Sequence, residues 1–255
     1  TYQVVFPDTF FNYLGSFIFK IFTKLLIPGR RKGDRVILDT EYPQEEEFAL
    51  GDKTPLSFYY WWMFPKSIMP FYEKKIRFHG VAPSQLDSWS EDYHLLMKKA
   101  LVKSGKKIFI SKNPPNTGRV KQLLQMFPNA RFIHIHRNPV NVILSTRNFY
   151  DKMLPHLQLQ TVNWESLYDH ILRMYSNIMS DYQKQKESVP PSQLMEVSFD
   201  DLEENPQGLL EKIYHHFDFN GYETAKPYFS AYIEKSKNYQ KNKLPVNKSL
   251  IEAIQ

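Results

Sequence analysis

The sequence predicts an α/β fold in which a parallel sheet is flanked by helices. Short apolar runs typical of buried strands occur at 106–111, 131–136 and 194–199. Segments with apolar residues at helical spacing separate these runs, which indicates parallel strand–helix–strand units. The chain has 255 residues, of which 42% are hydrophobic, enough for a single domain over 1–255. Ligands of such folds are expected beyond the carboxyl ends of the strands.

The first half of the predicted fold contains two helices and one strand. The segment "SEDYHLLMKKALVK" places five apolar side chains on one helical face: Tyr93, Leu96, Met97, Ala100 and Leu101. Ser88 and Glu91 have the spacing of a capping box for this helix. "KKIFIS" (106–111) is predicted to be a short buried strand, and "TGRVKQLLQMF" (117–127) is predicted to be the helix after it.

The second half repeats this alternation. "RFIHIH" (131–136) is the next predicted strand, and Asn138 with Pro139 has the pattern of a helix start. A long helix is predicted from Trp164 to Lys184, and "LMEVSF" (194–199) is predicted to be the third strand. Asn205 followed by Pro206 then predicts a further capped helix, with Asn205 as the N-cap.

Composition and charge exclude several classes of protein. The 33 basic and 27 acidic residues give a net charge of +6, with no long Lys/Arg run or DNA-reading motif, so no nucleic-acid partner is predicted. The absence of cysteine excludes disulfides and thiolate catalysis and suits a reducing, cytoplasmic compartment. No apolar run reaches the roughly 20 residues that a membrane-spanning helix needs. Residues 10–29 come nearest, and they are predicted to pack in the core or to contact a membrane surface peripherally.

The strand-to-helix corner at Arg137 is the first candidate site. A helix N-terminus presents unpaired N–H groups and a partial positive charge, so it binds phosphate readily. Arg137 adds a planar guanidinium that can hold two phosphate oxygens, and Ser145 follows about two helical turns later. The alternative is an arginine paired with a neighbouring carboxylate at the end of a strand.

The residues around this corner resemble a known family. "FIHIHRNPVNVILS" is similar to the 3′-phosphate-binding element of sulfotransferases that use 3′-phosphoadenosine 5′-phosphosulfate, and "SKNPPNTGRVKQLLQMFPNARFIHIHRNP" resembles the stretch before it in a broad, largely bacterial group. "EVSFDDLEENPQGLLEKIYHHFDF" and "ILDTEYPQEEEFAL" resemble two further segments of these proteins. The resemblance implies a P-loop nucleotide-hydrolase-like fold and this donor as co-substrate, with Arg137 and Ser145 on its 3′-phosphate.

The same resemblance suggests catalytic residues. Lys112 corresponds to a lysine that contacts the transferring sulfonate, although a solvated lysine is the alternative. The histidine base found two residues later in many relatives is Pro114 here. Glu45 and Glu46, in a cluster with Glu47, are therefore the candidate general base, because neighbouring carboxylates in a pocket can raise one another's pKa. The alternative is that these glutamates only mark the start of a helix.

Two further residues are assigned to the donor by resemblance. Phe199 takes the place of a tyrosine and is predicted to stack near adenine, or otherwise to pack in the core. Lys235 is predicted to cover the donor phosphates, or otherwise to be a solvated charge. His134 and His136 alternate on a strand without a third ligand near in sequence, so no metal is predicted.

The resemblance also has a gap. Relatives carry an N-terminal strand and a loop of the "SGTT" type that holds the 5′-phosphosulfate, and neither is found in the sequence. We therefore expect an N-terminally truncated sulfotransferase that transfers a sulfonate to a hydroxyl or amine of a small-molecule, lipid or carbohydrate acceptor. This chain alone is expected to be inactive. The alternatives are a catalytically inactive domain that binds an adenosine bisphosphate and a P-loop kinase of small molecules.

Overall fold

The computed structural model describes residues 44–236 of the chain. The helices that it contains, numbered in chain order, are α1 (Glu46–Gly51), α2 (Ile68–Lys75), α3 (Pro83–Ser104), α4 (Val120–Met126), α5 (Pro139–Leu157), α6 (Trp164–Lys186), α7 (Phe199–Glu204), α8 (Pro206–His216) and α9 (Tyr222–Ser236). The strands are β1 (Phe132–His136) and β2 (Leu194–Ser198). Short 3₁₀ turns lie at Phe58–Trp62, Pro65–Ser67, Pro114–Gly118 and Pro191–Gln193.

The described part of the chain divides into two compact units. The first unit contains residues 44–118 and 148–174, and the second contains residues 119–147 and 175–236. The core of the first unit is aromatic, with buried Trp61, Tyr72, Trp89 and Tyr93. The single domain predicted over 1–255 stays a prediction.

The second unit contains the parallel sheet that the sequence predicts. Strands β1 and β2 pair in parallel, with Phe132 opposite Leu194 and His136 opposite Ser198. A small apolar core of Val120, Tyr182 and Val189 packs against Phe132 and Leu194, among others. The pairing confirms two of the three predicted strands and agrees with a mixed α/β fold.

Two predicted helix starts are confirmed in atomic detail. The Asn138 side chain accepts a hydrogen bond from the Val140 N–H at 2.9 Å, where α5 begins. The Asn205 side chain accepts one from the Gly208 N–H at 2.9 Å, where α8 begins. Both caps satisfy N–H groups that the first helical turn leaves unpaired.

Helix α3 begins earlier than predicted. It starts at Pro83, and the Gln85 side chain accepts a hydrogen bond from the Ala82 N–H at 3.3 Å. Ser88 and Glu91 therefore lie within the helix, and the predicted capping box is wrong. A proline at the first helical position supplies the right φ without losing an internal hydrogen bond, so the helix extends back to it.

The predicted strand at 106–111 is also wrong. These residues form an irregular segment, in which Ile108 and Ile110 are 76% and 87% exposed. An apolar run becomes a strand only where another strand supplies ladder hydrogen bonds, and the sheet of residues 44–236 contains only β1 and β2.

Some predictions concern residues outside the described range. The apolar segment 10–29 lies there, as does the first half of "ILDTEYPQEEEFAL". Between residues 44 and 236, no helix has both the length and the apolarity needed to cross a bilayer.

Candidate functional site

Three consecutive glutamates at the start of α1, which we call the carboxylate cluster, are Glu45, Glu46 and Glu47. The helix begins at Glu46, so these residues do mark a helix start. Their side chains, however, reach groups far away in the sequence. The chief partner is the segment of residues 111–116, which we call the lysine loop. The two predicted interpretations of the glutamates are therefore compatible.

Glu46 is buried and accepts hydrogen bonds from three neutral donors through one oxygen, Oε1. Tyr93 Oη lies 2.6 Å from this atom and Asn116 Nδ2 lies 3.0 Å from it. The third donor is the hydroxyl of Ser111. Asn116 Nδ2 also lies 3.0 Å from Ser111 Oγ and 3.2 Å from Tyr93 Oη. These hydrogen bonds connect α1 with α3 and with the lysine loop.

Glu47 is fully buried and is bound on two sides. Its Oε1 accepts the backbone N–H of Phe58, and its Oε2 accepts the Asn113 side-chain amide at 3.0 Å. Its main-chain carbonyl accepts the hydroxyl of Ser57 at 3.0 Å. Glu47 therefore fixes both the start of the 3₁₀ turn at Phe58 and the middle of the lysine loop.

Glu45 is the most accessible member of the cluster, with its side chain 21% exposed. One oxygen forms an ion pair with Lys112 Nζ, and the other accepts the hydroxyl of Tyr59. The Lys112 side chain is 79% exposed. The structure thus brings together all three residues predicted to be catalytic, namely Glu45, Glu46 and Lys112, although their contribution to catalysis remains untested.

Two tyrosines of this site stay protonated. Burial raises the pKa of Tyr59 above its usual range, and its hydrogen bond to the charged Glu45 raises it further. Burial and the charge of Glu46 act in the same way on the pKa of Tyr93. Both hydroxyls therefore act as hydrogen-bond donors to the carboxylates at neutral pH.

An aromatic wall adjoins Glu45. The rings of Tyr59 and Trp62 are stacked with centroids 4.5 Å apart, and Phe48 lies 4.9 Å from Tyr59. Phe149 lies 6.0 Å from Trp62, and Tyr150 lies 6.4 Å from it. The least buried carboxylate of the cluster is therefore next to an apolar, aromatic surface.

A cleft of about 430 Å³ lies in the same unit. Its aromatic walls are Tyr60, Phe64 and Phe71, and the ammonium of Lys75 lies 3.8 Å from the centre of the Phe71 ring. Part of the aromatic segment at 58–65 thus lines a cleft. Trp61 and its neighbour Phe58 are buried in the core.

The Arg137 corner, formed by Arg137, Asn138 and the start of α5, lies in the second unit. Arg137 follows β1 directly, and its guanidinium carbon lies 4.4 Å from the centre of the Phe199 ring. Its Nε atom is buried and has no hydrogen-bond acceptor among residues 44–236. A cation that stacks on a ring keeps its N–H groups for another acceptor, so the corner can accept an anion.

The other residues assigned to the donor are placed as follows. Ser145 is exposed on α5, and Lys235 is exposed in the last turn of α9. Phe199 is half-buried at the start of α7 and contacts Arg137. A role for these residues in nucleotide binding remains a prediction.

His134 belongs to a polar group on the sheet. Its ring stacks on Tyr182 with centroids 3.9 Å apart, and it lies opposite Glu196 in the strand register. Glu196 accepts the Tyr182 hydroxyl at 2.9 Å and pairs with Lys186 at 2.9 Å. Burial lowers the pKa of His134. Within residues 44–236, no group of three or more side chains is arranged to hold a metal ion.

The sequence interpretation missed the residues that hold the lysine loop. The helical pattern places Tyr93 on an apolar face, but its hydroxyl is bound to Glu46. Asn113 and Asn116 flank the two prolines that follow Lys112, and the sequence analysis gives them no role. Two asparagines so close after a candidate catalytic lysine are the available signal.

Comparison with known proteins identifies the family. The model of the sulfotransferase family matches residues 85–223, which is more than half of the chain. The chain belongs to this family. The matched range includes the lysine loop, the Arg137 corner and both strands of the sheet.

Individual sulfotransferases are also similar to this chain. An omega-hydroxy-beta-dihydromenaquinone-9 sulfotransferase, Stf3, of Mycobacterium bovis is 28% identical over 224 residues, which are 88% of this chain and 57% of the relative. The protein of the same name from Mycobacterium tuberculosis gives the same values. The chain thus spans a little over half the length of these relatives. The crystal structure of sulfotransferase STF9 from Mycobacterium avium superposes with a TM-score of 0.72 at 14% identity, covering 99% of this chain and 67% of that one. This similarity confirms the predicted fold class.

Proposed function

We propose that this protein transfers a sulfonate group from 3′-phosphoadenosine 5′-phosphosulfate to a hydroxyl group of an apolar acceptor. Membership of the sulfotransferase family supports the type of reaction. The single observation that carries the site assignment is the contact of Lys112 with Glu45. It places a cation that can bind the sulfonate next to a carboxylate that can remove a proton from the acceptor.

The first step of the mechanism is donor binding. Arg137 has a buried Nε without an acceptor in the described residues, and its flat guanidinium can bind two oxygens of the ribose 3′-phosphate. The N-terminus of α5, capped by Asn138, adds N–H groups and a partial positive charge. Ser145 supplies a hydroxyl to the same phosphate. Phe199 supports the guanidinium from the opposite face.

The second step is charge exchange at Lys112. Its ammonium is paired with Glu45 in the structure. A sulfonate carries negative charge that grows on the bridging oxygen as the bond to sulfur breaks, and a lysine stabilises this charge. When Lys112 turns to the donor, Glu45 is no longer paired with it and takes the proton of the acceptor hydroxyl. The hydroxyl oxygen then bonds to sulfur while the bond from sulfur to the bridging oxygen breaks, and 3′-phosphoadenosine 5′-phosphate leaves.

The acceptor is proposed to be apolar next to its hydroxyl group. Phe48, Tyr59 and Trp62 form an aromatic surface beside Glu45, and such surfaces bind apolar and ring-containing groups. The name of the mycobacterial relatives, which refers to a hydroxylated menaquinone, is consistent with this class of acceptor. A cytoplasmic location remains a prediction from composition alone.

The function is tested by sulfonate transfer with ³⁵S-labelled donor and a panel of hydrophobic alcohols, phenols and sugars. We expect label on an apolar alcohol or phenol, and a loss of about 100-fold in kcat for Lys112→Ala. Glu73→Gln is the control, since it alters a partly exposed ion pair with Arg77 in the same unit. Tight binding of 3′-phosphoadenosine 5′-phosphate without transfer would favour an inactive nucleotide-binding domain. Transfer of phosphate from ATP would favour a kinase.

A further inference from the structure

Three consecutive glutamates contact three consecutive residues of the lysine loop. Glu45 is the N-cap of α1, and Glu46 and Glu47 are its first two residues. Glu46 accepts a hydrogen bond from Ser111, Glu45 pairs with Lys112, and Glu47 accepts one from Asn113. Glu46, Glu47 and Asn113 are buried, whereas Ser111 is exposed and the Lys112 side chain is 79% exposed. The exposed lysine thus lies between two residues that are both attached to buried carboxylates.

The lysine loop is held by the 3₁₀ turn at Pro114–Gly118 and by side-chain contacts with the carboxylate cluster. It belongs to no strand, and the isoleucines before it are exposed. Within the loop, the Asn116 N–H donates to the Asn113 carbonyl at 2.9 Å. Asn116 also donates to Glu46, so both asparagines connect the loop to the carboxylate cluster. The residues on both sides of Lys112 are therefore connected to Glu46 and Glu47.

We propose that Glu46 and Glu47 are positioning residues for Lys112 and take no part in proton transfer. Their carboxylates fix the loop on both sides of the lysine, so that Nζ is directed towards Glu45. This inference rests on the proposed function, in which Lys112 stabilises the sulfonate. It differs from the sequence prediction, which treated Glu46 as a second candidate base alongside Glu45.

The surroundings of Glu46 support this separation of roles. One oxygen of Glu46 is already the acceptor of three hydrogen bonds, and the residue is buried under Tyr93 and Asn116. A base must reach the proton that it removes within hydrogen-bond distance or through one water molecule. Glu45 is partly exposed and adjoins the aromatic wall, so it alone in the cluster meets this condition.

A comparison of two isosteric variants tests the assignment of Glu46. Glu46→Gln keeps an oxygen that accepts from Tyr93, Ser111 and Asn116 while it removes the charge. We expect kcat within about threefold of the native value and an unchanged pH profile, because orientation rather than basicity is needed. Glu45→Gln should lower kcat by about 100-fold. A loss of similar size in Glu46→Gln would overturn the inference and leave the proposed reaction intact.

A double-mutant cycle tests whether the loop contacts act through Lys112. Asn113→Ala removes the amide that binds Glu47. We expect it to lower kcat about tenfold in the native protein and less than about twofold in the Lys112→Ala background, since a misplaced lysine no longer matters once the lysine is absent. Equal losses in both backgrounds would overturn the inference. If Lys112→Ala alone changes nothing, the role of Lys112 and this inference both fail.

Hydrogen–deuterium exchange gives a measurement that does not depend on turnover. Peptides that cover the lysine loop should exchange faster in Asn113→Ala than in the native chain and at the native rate in Glu46→Gln. The control Glu73→Gln should leave the loop unchanged. Exchange that is unaffected by Asn113→Ala would show that Glu47 does not hold the loop, and the inference would be wrong.

Discussion

The carboxylate cluster and the Arg137 corner are both charged, yet their hydrogen bonding differs. In the cluster, Glu46 and Glu47 are buried and bound by donors from the protein itself. At the corner, Arg137 is stacked on Phe199 and has a buried Nε without an acceptor in the described part of the chain. The carboxylates of Glu46 and Glu47 are thus already bound by the protein, whereas the guanidinium of Arg137 has capacity left for an anion.

This difference predicts different consequences of mutation. A buried group that is fully bonded contributes to folding, and removing it leaves its partners unpaired. A cation with unused donors contributes mainly when its anion arrives. Variants in the cluster should therefore change stability, and variants at the corner should change nucleotide affinity with little change in stability.

The largest effect is expected for Glu47→Ala. It leaves the Phe58 N–H and the Asn113 amide without their acceptor in a buried position, and each such group costs about 1–3 kcal/mol. We expect the free energy of unfolding to fall by about 3 kcal/mol. Tryptophan fluorescence during urea unfolding measures it, because all four tryptophans lie in the first unit. Glu73→Ala should cost less than about 1 kcal/mol, and an equal loss there would contradict the argument.

Arg137→Ala is expected to have the next largest effect, on binding. The variant loses two charge-assisted hydrogen bonds to phosphate, so its affinity for 3′-phosphoadenosine 5′-phosphate should fall about 100-fold in calorimetry. Arg137→Lys keeps the charge without the planar fork and should lose about tenfold. Unfolding of the first unit should be unchanged. Undiminished binding by Arg137→Ala would refute the assignment of the corner.

Tyr59 and Tyr93, which donate hydrogen bonds to the carboxylate cluster, predict a loss of stability at alkaline pH. Their pKa values are raised in the folded chain, so they stay protonated above pH ~10, whereas the unfolded chain releases these protons. Stability is therefore complete below pH ~10 and falls above it, by up to about 1.4 kcal/mol per pH unit for each tyrosine. Urea unfolding between pH 8 and 11 measures the slope. Tyr93→Phe should make the slope shallower, while the exposed Tyr228 changed to Phe should leave it as it is.

Local rules explain what the sequence could predict. Asn138 and Asn205 cap their helices through N–H groups two and three residues away, so the pattern alone is sufficient. The strands at 132–136 and 194–198 were also found, because apolar runs bounded by turn residues indicate strands. The same rule failed at 106–111, where the chain has the apolar pattern without a neighbouring strand in the described sheet.

The roles within the carboxylate cluster depend on distant contacts. Tyr93 lies 47 residues from Glu46 and Asn113 lies 66 residues from Glu47, and no local pattern predicts these pairs. The sequence indicated Lys112 through the family resemblance, and Glu45 and Glu46 because neighbouring carboxylates can raise one another's pKa. It could not rank the glutamates, because their burial and their donors are properties of the folded chain.

The smallest effect on stability is expected at Lys112, although its effect on turnover should be large. Its ion pair with Glu45 is mostly exposed, and exposed pairs contribute about 0–1 kcal/mol because solvent screens them and the side chains lose entropy. Lys112→Ala should therefore change the free energy of unfolding by less than about 1 kcal/mol in the tryptophan assay. A loss of about 3 kcal/mol, like that of Glu47→Ala, would show that the lysine supports the fold. The carboxylate cluster and Lys112 would then no longer differ in that the first stabilises the fold and the second serves the reaction.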